Sequence, residues 1–407
     1  MINNVFSKSN TSKIDVITYK NILLKKNIIK LIDKKGPLTL NAISLGIKCS
    51  IPKSATIVQE LIDGGLIEDL GKMETGAGRK PSLYGLINDS VLFVGIHVRN
   101  DSVDFGIVDL NENVICLNQH IPFKLDNSKE SLDKLCNIVE NGIQENEQHR
   151  DCIATICINL PGRVNSKKGI SNNFYNFTNK SLATYLTEIF NIDVSIENDT
   201  RAKAYCEFHA RMNKKQCNIL YINADYGLGL GALVEGRLQY GKSGYSGEFG
   251  HTPFFQNDTA CRCGKTGCLE TEVSGIAIIE QFKAMIKEGH SSPLQTKYKN
   301  INDVVLIDIV RSAVDNEDLL AIEIIRKTAH KLGLAVTTLI HLYNPDTIVF
   351  GGTLSLAGEY FVLPIKLAIF KRSFELMRSD MKIELPVRLE GAGVVGACYL
   401  SKHNFLK

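Results

Sequence analysis

The chain has 407 residues, 44% hydrophobic and 22% charged, an ordinary globular composition that excludes a disordered, collagen-like or coiled-coil protein. That length allows two or three domains, each large enough to bury a core. The net charge of +3 is unevenly spread: residues 1–90 hold 13 Lys+Arg against 8 Asp+Glu, and the remainder 34 against 36. A basic N-terminal segment on a slightly acidic body fits a polyanion-binding module attached to something else, or else a Lys-rich solvated face. No apolar run approaches the ~18 residues of a membrane helix, and no charged-then-apolar leader opens the chain. No membrane insertion and a cytoplasmic location are therefore expected.

In the first ninety residues, Tyr19, Ile22, Leu23, Ile28, Ile29 and Ile32 recur at helical spacing until Gly36-Pro37 ends the run. A second short helix is predicted over residues 40–45, closed by Gly46. Ser50 can cap a third, with Pro52 in its first turn, running to Asp63 before Gly64-Gly65. Residues 66–70 and 82–87 read as strands around a loop over 71–81. This order is that of a winged helix-turn-helix, whose third helix enters the major groove. Lys53, Ser54, Thr56 and Gln59 are its candidate DNA-contacting residues. The wing carries Gly76-Ala77-Gly78-Arg79-Lys80-Pro81, where Arg79 and Lys80 can reach phosphate or a minor groove. The plainer reading is a small helical domain that binds protein.

Beyond residue 90 the pattern becomes strand–helix alternation. Strands are predicted over 91–98, 104–109, 152–160, 217–224 and 347–350, and a helix over 132–148. Pro161-Gly162 and Gly351-Gly352 end two of the strands. Such α/β lobes with glycine turns at strand ends place a ligand in a crevice.

Eleven cysteines, an odd number, argue against a disulfide framework. Eight are scattered (Cys49, Cys116, Cys136, Cys152, Cys157, Cys206, Cys217 and Cys398) and read as buried small hydrophobes. Cys261, Cys263 and Cys268 fall within eight residues, ten residues after His251. Three thiolates and an imidazole are a four-ligand set for structural Zn2+, with no open position for a reactive water. Gly264 and Gly267 allow the reversal that returns Cys268 to the pair.

Gly247-Glu248-Phe249-Gly250-His251 with Cys261-Arg262-Cys263-Gly264-Lys265-Thr266-Gly267-Cys268-Leu269-Glu270 closely resembles the signature of the ROK family (repressors, open reading frames, sugar kinases). The likeness extends over Pro161-Gly162, Glu197-Asn198-Asp199, Gly227–Gly231, Asn344-Pro345-Asp346 and Gly351-Gly352, and the winged helix matches the family's regulator branch. The resemblance implies a two-lobed actin-like (ribonuclease H-like) ATPase fold. The chain then divides into a DNA-binding domain (1–90), one lobe (91–205), and a second lobe (206–407) whose C-terminal helix returns to the first. It implies homodimers or dimers of dimers, double-stranded operator DNA, a sugar or sugar-phosphate effector, and in one variant of the theme a transport-system protein partner.

The resemblance also carries the sugar-contacting residues, by position: Asn198 and Asp199, with Asp199 the general base in kinases; Glu248 and Glu270; His251, bound to zinc through one ring nitrogen; and Asn173, with Asn172 as the alternative. Carboxylates and amides suit a polyol, although Glu197-Asn198-Asp199 is also an adequate turn opening a helix over 200–210. The family's kinases carry DxGxTK in their first phosphate loop. Here His97, Arg99 and Asp101 replace the acidic residue, a glycine and the threonine, and Asp225-Tyr226 replace Gly-Thr in the second loop. Carboxylates beside a polyphosphate repel it, so the expected function is a sugar-responsive transcriptional repressor with a degenerate kinase domain. The alternative is an active sugar kinase with an appended DNA-binding domain.

Overall fold

Three helices and a small sheet open the computed structural model, which describes residues 16–72, 81–177, 179–211 and 216–407. Helix α1 (Val16–Lys35) buries Ile28, Ile29 and Ile32. Tyr19 was expected on that face but is exposed, because the first turns of α1 run beyond the residues that cover the rest. After strand β1 (Leu38–Thr39), the Thr39 hydroxyl accepts from Ala42 N and caps α2 (Leu40–Gly46). Helix α3 (Ile51–Asp63) carries Pro52 in its first turn and buries Ile57, Val58 and Leu61. Ser50 precedes it in extended conformation, yet its hydroxyl makes no capping hydrogen bond, unlike the expectation. Strands β2 (Ile67–Lys72) and β3 (Ser82–Leu86) complete an antiparallel sheet in the order β1-β3-β2. This is a winged helix-turn-helix.

The chain divides into two units, the first holding residues up to Asp199 together with Gly393–Lys407. Within it, β4 (Leu92–Val98), β5 (Ser102–Val108), β6 (Val114–Pro122), β7 (Ile153–Leu160) and β10 (Asp193–Asn198) form a sheet in the order β10-β7-β4-β5-β6. Strands β8 (Val164–Asn165) and β9 (Ile170–Ser171) make a separate ribbon. Strands β4, β7 and β10 run parallel, while β5 and β6 are antiparallel to their neighbours. Every residue of β4 and β5 is buried, as covered central strands require. Helices α4 (Lys129–Gln144) and α5 (Leu182–Phe190) connect the strands. The C-terminal helix (Ala392–Leu406) packs on the same sheet and continues into the winged helix: Cys398 and Phe405 share one core with Phe93, Ile28, Ile57 and Leu61.

The second unit, Thr200–Ala392, repeats the strand pattern. Helix α6 (Asp199–Arg211) leads into it. Strands β11 (Ile219–Ala224), β12 (Leu228–Val234), β13 (Arg237–Leu238), β14 (Thr347–Gly351) and β15 (Lys382–Glu384) lie in the order β13-β12-β11-β14-β15. The pairs β11–β14 and β14–β15 are parallel, and β12 and β13 antiparallel. Helices α7 (Gly275–Lys287), α8 (Leu306–Asp315), α9 (Leu319–Tyr343) and α10 (Glu359–Arg372) supply the helical layer. Gly333 lets α9 and α10 approach closely, since a Cβ there would lie 2.8 Å from both the Ala368 methyl and the Ile365 carbonyl oxygen. No helix among the described residues is long and apolar enough to cross a membrane.

Candidate functional site

In the first unit, polar side chains gather where the parallel strands β7 and β10 end. Gly162 follows β7 with φ +83°, and the Asn173 side chain fills the space beside it, its Oδ1 accepting from Arg163 N at 2.9 Å. Asn198 Nδ2 donates to the Gly162 carbonyl at 2.9 Å and to Asp199 Oδ1 at 3.1 Å. Behind them Glu197 is buried; its Oε1 accepts from Ser166 Oγ and from Asn198 N, both at 2.7 Å. Asn173 and Asn198 thus meet at the Gly162 turn, with Asp199 bonded to Asn198 and Glu197 and Ser166 behind them. Ser166 was not singled out from sequence, because only the fold brings β8 beside β10. Asn172, the alternative to Asn173, engages through its backbone: its N–H donates to Arg163 O and its carbonyl accepts from Asn176.

The metal-ligand set lies in the second unit. Gly247 and Gly250 bring their turn flush against β12, where a Cβ would come within 2.3 Å of Leu230 O and 2.5 Å of Leu228 O respectively. His251 ends that turn. The cysteines follow in a tight reversal: Gly264 at φ +86° turns the chain, Cys261 N donates to Lys265 O at 2.7 Å, and Pro253 bridges Cys268. His251 Nδ1 lies 3.5 Å from Cys261 Sγ, and Cys263 Sγ lies 3.6 Å from Cys268 Sγ. All four ligand atoms fall within 4.8 Å of one another. A tetrahedral site with metal–sulfur bonds of ~2.3 Å has S···S edges of about 3.8 Å, so this donor set fits a bound metal ion. Burial, then hydrogen bonding with Cys263 and Cys261, pushes the Cys268 thiol up to about 12; a metal must displace that proton.

The expected sugar contacts of this unit border the cluster. His251 Nε2, the nitrogen away from Cys261, lies 3.9 Å from Glu248 Oε2. Glu270 Oε2 accepts from Leu228 N at 3.1 Å, and its other oxygen is 4.0 Å from Cys261 Sγ. A metal held by His251 and Cys261 would therefore fix the loop that presents Glu248 and Glu270.

The residues at the positions expected for the two phosphate loops are engaged in hydrogen bonds of their own. His97 is buried, with Nδ1 2.5 Å from Asn159 Oδ1, while Asn159 Nδ2 donates to Gly393 O at 2.8 Å. Arg99 Nη2 pairs at 2.7 Å with Asp104, whose carboxylate is fully buried and also accepts from His120 N. In the second loop Asp225 Oδ1 accepts from Thr353 Oγ1 at 2.9 Å and from Tyr226 N at 3.0 Å.

On the winged helix, Thr56 and Gln59 are exposed on α3 and Lys53 is half-buried. Thr56 Oγ1 donates to Pro52 O and Gln59 Nε2 to Asp63 Oδ1. Ser54, expected to face DNA, is instead fully buried on the side of α3 that carries Ile57, Val58 and Leu61. One turn of α3 separates Ser54 from Ile57 and Val58, so it falls in their stripe. Arg79 and Lys80 lie outside the described residues. Of the scattered cysteines Cys136, Cys157, Cys206 and Cys398 are buried as expected, whereas Cys49, Cys116 and Cys152 are half-buried and Cys217, just before β11, is exposed.

Two α/β units with the same strand pattern, one fused to a winged helix and the other bearing a His/Cys3 loop, define a regulator-like member of the actin-like sugar-kinase class. Residues 93–404 match the ROK family, and the chain belongs to it. It is 27% identical to the xylose repressor of Caldicellulosiruptor bescii, over 84% of this chain and 86% of that protein. It is 24% identical to the DNA-binding transcriptional dual regulator NagC of Escherichia coli K12, over 93% and 92%. A solved ROK family transcriptional regulator, a homolog of the E. coli MLC protein, superimposes with a TM-score of 0.79 at 27% identity, covering 95% of this chain and 97% of that one. A ROK glucokinase from Streptomyces griseus, solved with glucose and AMPPNP, shares the fold at TM-score 0.66 and 21% identity but covers only 77% of this chain.

Proposed function

We propose that this chain is a sugar-responsive transcriptional repressor of carbohydrate-utilisation genes. The observation that carries the reading is the winged helix-turn-helix whose core is continuous with the ROK unit, an arrangement matched along 95% of the chain by a solved ROK transcriptional regulator. Thr56, Gln59 and Lys53 on α3, with Arg79 and Lys80 of the wing, read operator DNA as a pair of half-sites in a homodimer or a dimer of dimers. The effector is a sugar or sugar phosphate, and the candidate contacts are Asn173, Asn198 and Asp199 in the first unit and Glu248, His251 and Glu270 in the second. His251, Cys261, Cys263 and Cys268 hold a structural Zn2+. The His97–Asn159 and Arg99–Asp104 pairs support loss of ATP chemistry, which leaves Asp199 as a ligand anchor rather than a base.

The sugar acts as an effector only if it binds the DNA-competent and DNA-incompetent states with different affinity, and a coupling of ~1–3 kcal/mol is typical. Selecting duplexes from a randomised pool on the purified chain, then repeating the gel shift with a panel of sugars and sugar phosphates, tests the reading. An enriched palindromic duplex released by one sugar is expected; no enrichment overturns it. ATP-coupled turnover on the same panel addresses the kinase alternative, and a robust rate sinks the regulator-only reading.

A further inference from the structure

We propose that Cys263 and Cys268 are a peroxide-reactive thiol pair, whose oxidation to a disulfide removes two of the four metal ligands and switches off the effector response. Metal release rests on the four-ligand reading above and the lost response on the sugar-effector reading; the disulfide itself rests on neither. Cys261 and Cys268 are buried, at 7% and 1% exposure, whereas Cys263 is half-buried in a loop tip, residues 262–266, whose other members are all exposed. A Cβ on Gly264 would meet nothing within 4 Å, so the tip stands open to solvent. The cations Arg262 and Lys265 flank the thiol, and a partly exposed sulfur among cations is the setting of a reactive cysteine.

The reversal holds the two sulfurs together through backbone bonds that need no metal. Cys261 N donates to Lys265 O at 2.7 Å and Gly264 N to Cys261 O at 2.9 Å, while backbone bridges join Ala260 to Thr266 and Pro253 to Cys268. Gly264 and Gly267, at φ +86° and +72°, let the chain between the two cysteines fold back on itself. The sulfurs then lie 3.6 Å apart. A disulfide of ~2.05 Å asks them to close by about 1.5 Å, a movement within reach of side-chain rotation. Cys261 Sγ is the sulfur beside His251 Nδ1, at 3.5 Å, and stays with it as half a ligand set.

The oxidant is hydrogen peroxide. Cys263 Sγ, as thiolate, attacks one peroxide oxygen: an S–O bond forms, the O–O bond breaks, and the departing hydroxide takes a proton and leaves as water. The sulfur is oxidised by two electrons and the peroxide is reduced by two. The Cys268 thiolate then attacks Cys263 Sγ; the S–S bond forms, the S–O bond breaks, and a second hydroxide leaves as water with a second proton. Two thiolates, one peroxide and two protons thus give one disulfide and two waters. His251 and Cys261 alone are two ligands where a structural metal takes four. The loop bearing Glu248 and Glu270 loses its staple, because these carboxylates lie 3.9 Å from His251 Nε2 and 4.0 Å from Cys261 Sγ. The oxidised chain keeps its duplex and ignores its sugar.

The test treats the full-length, zinc-loaded protein with hydrogen peroxide, follows released zinc with a chromogenic chelator, and maps the thiols by differential alkylation and mass spectrometry. Zinc release should rise at least tenfold over the untreated protein, with one Cys263–Cys268 link per chain, and dithiothreitol with added zinc should reverse both. Cys217, also exposed, gauges unselective oxidation and should remain open to alkylation. Cys268→Ala should stop at a sulfenic acid on Cys263, trapped by dimedone. Thiols that stay reduced with zinc retained overturn the proposal, as does a link through Cys261 or oxidation of Cys217 ahead of Cys263. A chain that purifies without zinc yet links Cys263 to Cys268 sinks the metal reading and upholds the thiol pair. A linked chain that keeps the thermal shift given by its sugar overturns the switch and leaves the repressor reading intact.

Discussion

Lys402 Nζ, near the end of the C-terminal helix, lies 2.9 Å from Asp33 Oδ1 in the first helix of the winged helix-turn-helix. The same ammonium donates to Leu110 O at 2.7 Å and to Glu112 Oε1 at 3.1 Å, so one cation ties the C-terminal helix to two other segments of the first unit. Its side chain is 8% exposed, against 21% for Asp33 and 25% for Glu112. Removing one member of a fully buried pair costs ~3–5 kcal/mol; the carboxylates here can rehydrate, so Lys402→Ala should cost about 1–3 kcal/mol. Because Phe405 and the winged helix share a core, duplex affinity should fall together with the melting temperature. Thermal melts and gel shifts on the variant check this, and an unchanged melting temperature would mean that the pair contributes nothing.

Gly95 stands where β4 meets the start of the C-terminal helix. A Cβ there would lie 2.4 Å from Val394 O and 2.6 Å from both Cys398 N and Cys398 Sγ. Two of those atoms are backbone and cannot turn aside, so Gly95→Ala must push the helix off the sheet. Overpacking of this kind costs ~1–3 kcal/mol, and denaturant titration should show a lower midpoint with an unchanged slope. A midpoint equal to that of the wild type would contradict this close approach.

These two positions show what was legible in the residues alone. The winged helix could be read from helical spacing and turn residues, because local periodicity decides those elements. The His/Cys3 loop was equally plain, since ligand type and spacing are chemical facts of the chain. Lys402 carries no such signal: its partners lie 369 and 290 residues away and are known only once the C-terminal helix docks. Ser54 misled for the opposite reason. A polar residue at the start of a recognition helix suggests solvent, but the helix turns it into its own apolar stripe. Ser166 behind Glu197 likewise follows from tertiary placement, not from any local pattern.

Ser54 and Gln59 make a paired prediction on α3. The Ser54 hydroxyl is fully buried and has no hydrogen-bond partner among the described residues, so Ser54→Ala should be neutral or stabilise the fold by up to ~1 kcal/mol. It should leave duplex affinity unchanged. Gln59 is exposed, and Gln59→Ala should change stability by no more than ~0.5 kcal/mol. If Gln59 reads a base edge, that variant loses ~1–3 kcal/mol of binding to the selected duplex and relaxes preference at one position. Duplex binding lost in Ser54→Ala but kept in Gln59→Ala would reverse the assignment of the two faces.

Metal content tests the second unit directly. Four ligand atoms within 4.8 Å, with Cys268 and Cys261 almost fully buried, should retain about one Zn per purified chain, and a clearly lower content would contradict a four-ligand site. Cys261→Ser removes the ligand nearest His251 Nδ1, and chelation removes the ion; either should lower the melting temperature by at least ~4 °C, equivalent to about 1–2 kcal/mol in a unit of this size. The consequence for ligand binding is more specific. Glu248 and Glu270 flank the cluster through His251 and Cys261, so the thermal shift produced by the effector sugar should disappear in Cys261→Ser. Duplex binding should survive, because the winged helix shares its core with the first unit. A variant that loses zinc yet keeps the full sugar-induced shift would show that the metal staples the loop without shaping the site.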